Sequence, residues 1–455
     1  MKKLFSVLIG LMLMMNIAYS QNSWTFVSYL PSPSPSINSI AVVNANVIWA
    51  SAAVAGGAAR VYRTVNGGVT WQLKNTGLPA TMNAYGCAAL DSLTCWIGND
   101  IGMTIYKTTD GGNTWVGQLT VAGSFTDGIH FVDANTGWLY ADPTAVTGQP
   151  YQIRSTTNGG TNWVLNATSP TSSTEYGVIN AWDWSDNNHI WFGSANTTAS
   201  ATFAKVYYSS TGIAGTFTAV SVPGTGGTTG CYYQAVAFTS NTDGMIGSSA
   251  GDIKKTTNGG VSYTTVTNPG GLVTGSFAVM NMCKDASGKI RLAIDSSGGA
   301  VIWTTTNLGT AWVREQIPVQ GSASTISHMV FLDANHGFAS LGSPSGAIGG
   351  LLKYGPVVGI GNISGEVPSE FKLDQNYPNP FNPATVIKFA MPRSGYVTLK
   401  VYNALGKEVE TLLSENMIAG GHEVVFDASS LSSGLYFYQI ITNGFTDTKK
   451  MLLVK

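Results

Sequence analysis

The chain has 455 residues, Lys+Arg 23 against Asp+Glu 24 and a net charge of −1, with only 10% charged residues where an average soluble protein has about 25%. That balance lacks the concentrated basic footprint of a nucleic-acid binder, and 44% hydrophobic residues exclude a solvated disordered tail. The surplus lies in Gly (54 of them), Ser, Thr, Asn and aromatics, the turn and strand formers of an all-β protein.

Lys2 and Lys3 open the chain, an apolar run follows from Leu4 to Met15, and Ala18-Tyr19-Ser20 gives a small-x-small cleavage pattern. Residues 1–20 therefore read as a secretory signal peptide. A membrane anchor needs about 20 apolar residues, and Asn16 interrupts the run too early. No later segment is long and apolar enough to span a bilayer, so the expected mature chain is exported and carries no transmembrane helix.

From 21 to 355 the sequence repeats itself, which decides the fold before any local propensity does. Thr64-Val-Asn66-Gly67-Gly68-Val-Thr-Trp71 recurs around Asp110, Asn158, Asn258 and Asn307, with a degenerate copy at Ser209-Ser-Thr-Gly212 running into Phe217. A second motif lies between the copies. Phe131-Val-Asp133-Ala-Asn135-Thr-Gly137-Trp138 matches Phe331-Leu-Asp333-Ala-Asn335-His-Gly337-Phe338, and weaker versions begin near Val42, Leu90, Trp184, Phe238 and Met282. Each unit reads as four antiparallel strands, and such sheets bury their faces by stacking into a propeller. Six turn motifs against seven hairpins leave one sheet short of an outer strand. Ser23-Trp24-Thr-Phe-Val-Ser-Tyr-Leu-Pro31 resembles Thr70-Trp71-Gln-Leu-Lys-Asn-Thr-Gly-Leu-Pro79, so the mature N-terminus is expected to complete the last blade and remove two free strand edges.

The expected architecture is all-β: a seven-bladed β-propeller with N-terminal strand closure, followed by a small Ig-like β-sandwich. The turn units resemble the Asp-box, or BNR, repeat of sialidase-like and sortilin-like propellers. With the Asp-Ala-Asn-x-Gly-Trp hairpin they also resemble the photosystem II assembly factor-like family. The resemblance implies a fold and leaves function open, because many activities use it.

The repeated Asn/Asp-Gly-Gly reads as a structural turn, its short side chain bonding its own backbone and Gly supplying positive φ. Trp49, Trp71, Trp96, Trp115, Trp138, Trp163, Trp191 and Trp312 fall at equivalent positions and are expected between blades. The turns occupy one face, so ligand contacts are expected on the other, in the loops 140–150, 166–176, 194–204 and 220–233. They carry the candidate catalytic carboxylates Asp142 and Glu175 and the candidate ligand-binding residues Tyr176, Tyr232 and Tyr233, with Trp182 nearby. Cys87 and Cys95 flank the first hairpin of blade two. A disulfide between them is open in an exported chain, although simple alternation puts them on opposite faces. His130, His189, His328, His336 and His422 show no HxH or HExxH spacing, no DxDxDG loop suggests calcium, and no GxSxG is present. No metal and no cofactor are expected. A sialidase needs arginines converging on a carboxylate, and Arg63 and Arg154 instead precede Asp-boxes.

After Tyr354 the composition changes. Residues 356–370 read as a linker, and from 371 to 455 period-two alternation returns: Val397, Leu399 and Val401, then Val424 and Phe426, then Leu435 and Phe437. Asn376-Tyr-Pro-Asn-Pro-Phe-Asn-Pro383, Val401-Tyr-Asn-Ala-Leu-Gly406, Leu431-Ser-Ser-Gly-Leu-Tyr436 and the Lys-rich final strand resemble, in order, the type A C-terminal sorting domain of the type IX secretion system of Bacteroidetes-type bacteria. The resemblance implies type IX machinery as a partner of residues 371–455 and a secreted or outer-membrane-surface location. Two functions follow as alternatives. One is a non-catalytic module that binds an extracellular protein or glycan of unspecified identity; the other is an exported glycoside hydrolase using propeller-face carboxylates.

Overall fold

The structure is a computed structural model. It describes residues 22–31, 36–53, 60–80, 82–100, 102–145, 147–226, 230–318, 325–342, 349–356, 370–393, 395–417, 420–428, 431–442 and 444–455. The expected signal peptide (1–20) and all but the ends of the expected linker (356–370) lie outside the described residues. Contacts divide the chain into two compact units, meeting between Gly355 and Pro356.

Among the described residues the first unit holds seven antiparallel sheets. Blade one, for example, consists of Ser36–Val42, Ile48–Ala53, Arg60–Thr64 and Gln72–Leu73, innermost to outermost. Blades two, three, four and six repeat that order, beginning at Ala84–Ala89, Thr126–Phe131, Trp182–Asp186 and Phe277–Lys284. Blade seven takes Met329–Phe331, Gly337–Gly342 and Gly349–Pro356 from the end of the unit, and its outer strand is the N-terminal Asn22–Tyr29. The expected closure is therefore present: Leu30 N–H donates to Gly349 O at 2.8 Å, and Trp24 is buried.

Seven apolar clusters join the seven sheets, each shared by two neighbours. The one around Ile37, Ile40 and Trp71 includes Phe338 and Leu351 of blade seven, which makes the array a ring. The tryptophans do most of the filling, as their spacing predicts. Trp96 stacks on Phe131 of the next blade at 3.6 Å, and its Nε1–H donates to Gly159 O. Trp191 does the same with Phe238 at 3.7 Å and with Gly259 O. In blade six Arg291 occupies this register position and lies over Phe331 at 3.9 Å.

The repeated Asn/Asp-Gly-Gly turns are structural, as their chemistry predicts. Thr108 Oγ1 donates to Asp110 Oδ1 and accepts Gly112 N–H, while Asp110 accepts the N–H groups of Asn113 and Thr114. Gly111 and Gly112 have φ of 76° and 78°, which a side chain would strain. Gly67, Gly111, Gly159, Gly212 and Gly259 each donate their N–H to the inner hairpin turn of the same blade, placing both sets of turns on one face.

The inner strands of blades one, two, three, five and six slip register in their first half, as between Ile37 and Ser39, Tyr85 and Cys87, and Thr126 and Gly128. Such a bulge leaves one residue free to reach sideways. Asn38 Nδ2 donates to Ala84 O of blade two, Gln234 Nε2 to Val279 O of blade six, and Ser327 Oγ to Ile37 O of blade one.

The second unit packs a three-stranded sheet (Lys372–Leu373, Ala384–Met391, Gly420–Asp427) and a four-stranded sheet (Glu408–Met417, Gly395–Asn403, Gly434–Thr442, Phe445–Leu453) over one core containing Phe381, Phe389, Val401, Phe426 and Tyr438. The Pro-rich arm is pinned rather than free. Asn376 Nδ2 donates to Pro378 O and Thr385 Oγ1, and Phe381 N–H donates to Leu452 O.

Candidate functional site

The face opposite the Asp-boxes departs from the repeat at blade five. Two short strands, Glu175–Tyr176 and Ala195–Asn196, add to the inner edge of Cys231–Phe238 and extend that sheet to six strands. Glu175 pairs with Asn196 and Asn196 with Cys231; Tyr176 pairs with Ala195 and Ala195 with Tyr232. Directly paired residues share a sheet face. Glu175, Asn196 and Cys231 therefore lie on the buried face, and Tyr176 and Tyr232 stand on the other, with only the small Ala195 between them.

Alternation then sorts the candidates. Tyr176 and Tyr232 are half-buried and lie on one face of the extension, with the Ala195–Asn196 strand between them. Tyr233, one residue on, points the opposite way. It is fully buried and its hydroxyl donates to Pro223 O at 2.6 Å, which corrects its assignment as a loop residue available to ligand. Parity along the strand is the physical reason. Glu175 is likewise buried. Its carboxylate pairs with Lys205 at 2.9 Å and accepts the N–H groups of Ser173 and Thr174. Burial raises its pKa, but the hydrogen bonds from Thr174, Lys205 and Ser173 outweigh this and hold it below the ordinary value. A carboxylate fixed in this way is charged, inward-facing and unavailable as a proton donor.

Asp142 does not meet Glu175 in a shared open site. It sits beside Asp127, a residue that spacing alone did not reveal, at the bulge of blade three. Asp142 Oδ1 accepts Gly177 N–H at 2.6 Å, and a Cβ at Gly177 would lie only 2.0 Å from Asp127 Oδ2. The two carboxyls thus clasp one glycine. Burial pushes Asp142 up to about 7, against the pull of the Gly177 bond. Burial and the neighbouring Asp142 charge push Asp127 well above the carboxylate range. Asn180, just beyond, donates its backbone N–H to Asp127 O and its side-chain Nδ2–H to Asn38 O of blade one, on the far side of the ring. The segment 172–180 is therefore tied down across the ring.

Trp182 packs in the aromatic group of His130 and Trp138 at ring distances of 5.7 Å and 4.8 Å, an inter-blade rather than a ligand-facing position. Cys87 and Cys95 correct the simple alternation. The bulge at Gly86 precedes Cys87, Ala89 pairs with Cys95, and both sulfurs lie on one face 3.8 Å apart, as thiols. Among the described residues no group of three or more His, Cys, Asp and Glu could hold a metal, and no helix is long and apolar enough to cross a membrane.

Residues 375–455 match the family described as the secretion system C-terminal sorting domain. This is the sorting tail of type IX secretion, and it indicates export to the cell surface or secretion. No curated protein matches the chain. Among solved structures, YCF48 from Cyanidioschyzon merolae is 16% identical, with a TM-score of 0.52 over 73% of this chain and 99% of that one. PorZ, a surface component of the type IX secretion system of Porphyromonas gingivalis, is 15% identical with a TM-score of 0.50 over 93% of this chain and 60% of its own. An ancestral GH74 enzyme is 13% identical, with a TM-score of 0.52 over 94% and 63%. At these identities the likeness is one of fold. The class is thus a β-propeller carrying a type IX sorting tail.

Proposed function

We propose that this chain is an exported, non-catalytic binding module, delivered by its sorting tail and presenting the ring face around blade five to an extracellular glycan or protein. The observation that supports the reading is the sorting of side chains on the added strands: Tyr176 and Tyr232 share the sheet face opposite Glu175, which is buried and ion-paired. Aromatic faces bind sugars and apolar side chains without chemistry, whereas a glycosidase needs two carboxyl groups flanking an accessible bond. A similar fold in an ancestral GH74 enzyme does not supply that pair here.

The test is an array of bacterial and plant glycans and of peptides, probed with the mature chain. Bound ligands are expected to lose about tenfold or more in affinity with Tyr176→Ala plus Tyr232→Ala, and no reducing ends should be released. Turnover that disappears in Asp142→Asn or Glu175→Gln would instead establish the hydrolase.

The same export route supports a disulfide between Cys87 and Cys95, formed by exchange with the disulfide of an oxidoreductase before the ring buries them. Intact mass of the exported chain should then fall short of the reduced mass by two hydrogens. The full reduced mass would exclude the bond.

A further inference from the structure

The joint between blades five and six departs from the pattern of the first four. At the register position where Trp49, Trp96, Trp138 and Trp191 fill the gap to the next blade, blade five has Met245, without a ring and without an N–H donor. The first turn glycine of blade six is replaced by Leu308, at φ 52°. The inner hairpin turn is also altered. Asn44, Asp91, Asp133, Asp186 and Asp333 cap their turns with a side-chain oxygen, but in blade five Ser240 Oγ takes that part, accepting the N–H groups of Thr242 and Asp243. The acidic group appears instead at Asp243, whose carboxylate accepts a long bond from Ser240 Oγ, 3.4 Å.

A cleft of 310 Å³ lies at this joint on the Asp-box face, lined by Thr239, Asp243, Lys255, Ile290, Thr306 and Leu308 among others. That volume is at the small end of the range for ligand sites. Lys255 shows what is unusual about it. Its counterpart Lys107 lies over Trp96 at 4.7 Å and donates to Gly159 O of the next blade at 3.0 Å, so its charge is consumed within the joint. Arg63 lies over Trp49 and donates to Ser92 O in the same way. Lys255 has neither a ring beneath it nor, among the described residues, a hydrogen-bond or ion-pair partner for its ammonium. No ion pair joins it to Asp243. Departures from a repeat's own rules concentrate where a protein binds something.

We propose that this cleft binds one acidic sugar unit, a hexuronate residue of an extracellular glycan, with Lys255 meeting the carboxylate and Asp243 accepting from ring hydroxyls. The proposal rests on the binding-module reading but uses the opposite face from Tyr176 and Tyr232. An ammonium supplies a point charge to a carboxylate, a carboxylate can accept two hydroxyl donors, and the half-buried Leu308 offers an apolar contact to the ring.

The mature full-length chain should be titrated with glucuronate and galacturonate, with glucose as the neutral control, and followed by saturation-transfer NMR. Both uronates are expected to bind at least about tenfold more tightly than glucose, with affinity falling as salt is raised. Lys255→Gln should remove that preference while leaving the thermal midpoint unchanged. Uronate affinity equal to that of glucose, or unchanged in Lys255→Gln, would overturn the proposal. Uronate binding lost only with Tyr176→Ala plus Tyr232→Ala would also overturn it, while leaving the module reading intact.

Discussion

Arg291→Ala is expected to destabilise the propeller by about 3–5 kcal/mol, the usual consequence of stranding buried charges. Arg291 is fully buried at the joint between blades six and seven. It pairs with Asp285 at 2.7 Å and Glu315 at 3.0 Å, and its guanidinium lies over Phe331 and Tyr354. Glu315 in turn accepts the indole N–H of Trp24 at 2.6 Å, so the residue that replaces tryptophan in the repeat also fastens the N-terminal strand. Truncation leaves Asp285 and Glu315 without their cation. A triple variant that also carries Asp285→Asn and Glu315→Gln should recover part of the loss, because the stranded charges go with the arginine. Urea unfolding of the propeller transition decides it: a loss below about 1 kcal/mol for Arg291→Ala would show the network to be ornamental.

The second large effect is a pH dependence. Asp142→Asn is expected to stabilise the propeller at pH 8 by at least about 1 kcal/mol and to change it little at pH 4. The sign follows from the raised folded value of about 7. Between the unfolded value near 3.8 and about 7, the native state keeps a proton that the unfolded chain releases. Stability from this group is therefore complete below about pH 4, declines as pH rises to about 7, and is then gone. Asparagine keeps the acceptor for Gly177 N–H and never ionises, so it carries no such loss. Its amide can also donate toward Asp127, whose carboxyl is pushed up by burial first and by the Asp142 charge second. Denaturant midpoints of both proteins between pH 4 and pH 8 are the measurement, and a difference independent of pH would refute the account.

The repeat units made most of the architecture legible. Trp24 could be assigned to blade seven because its surroundings repeat those of Trp71, and both side chains are buried at blade joints. What escaped was local geometry that alternation cannot encode. The strands Glu175–Tyr176 and Ala195–Asn196 are two residues each, too short for any period to show. Tyr233 was misplaced by one position of parity, and Cys87 by the hairpin's register, in which Ala89 pairs with Cys95 and Cys87 with Ile97. Asp127 was invisible because its partner Asp142 comes from a different strand. Met245 and Leu308 were visible as mismatches, but a mismatch acquires meaning only once the neighbouring blade is seen beside it.

Since the outer strand of blade seven is the first to emerge and its partner Gly349–Pro356 the last of the ring, a chain threaded N-terminus first through a narrow translocon cannot finish its circle until more than three hundred residues have passed. Until then blade seven lacks its partner strands and the indole of Trp24 has no joint to enter. On such a path the chain would stay an open arc until Gly349–Pro356 arrives, and anything that held it before then would have to recognise that arc rather than a finished disc.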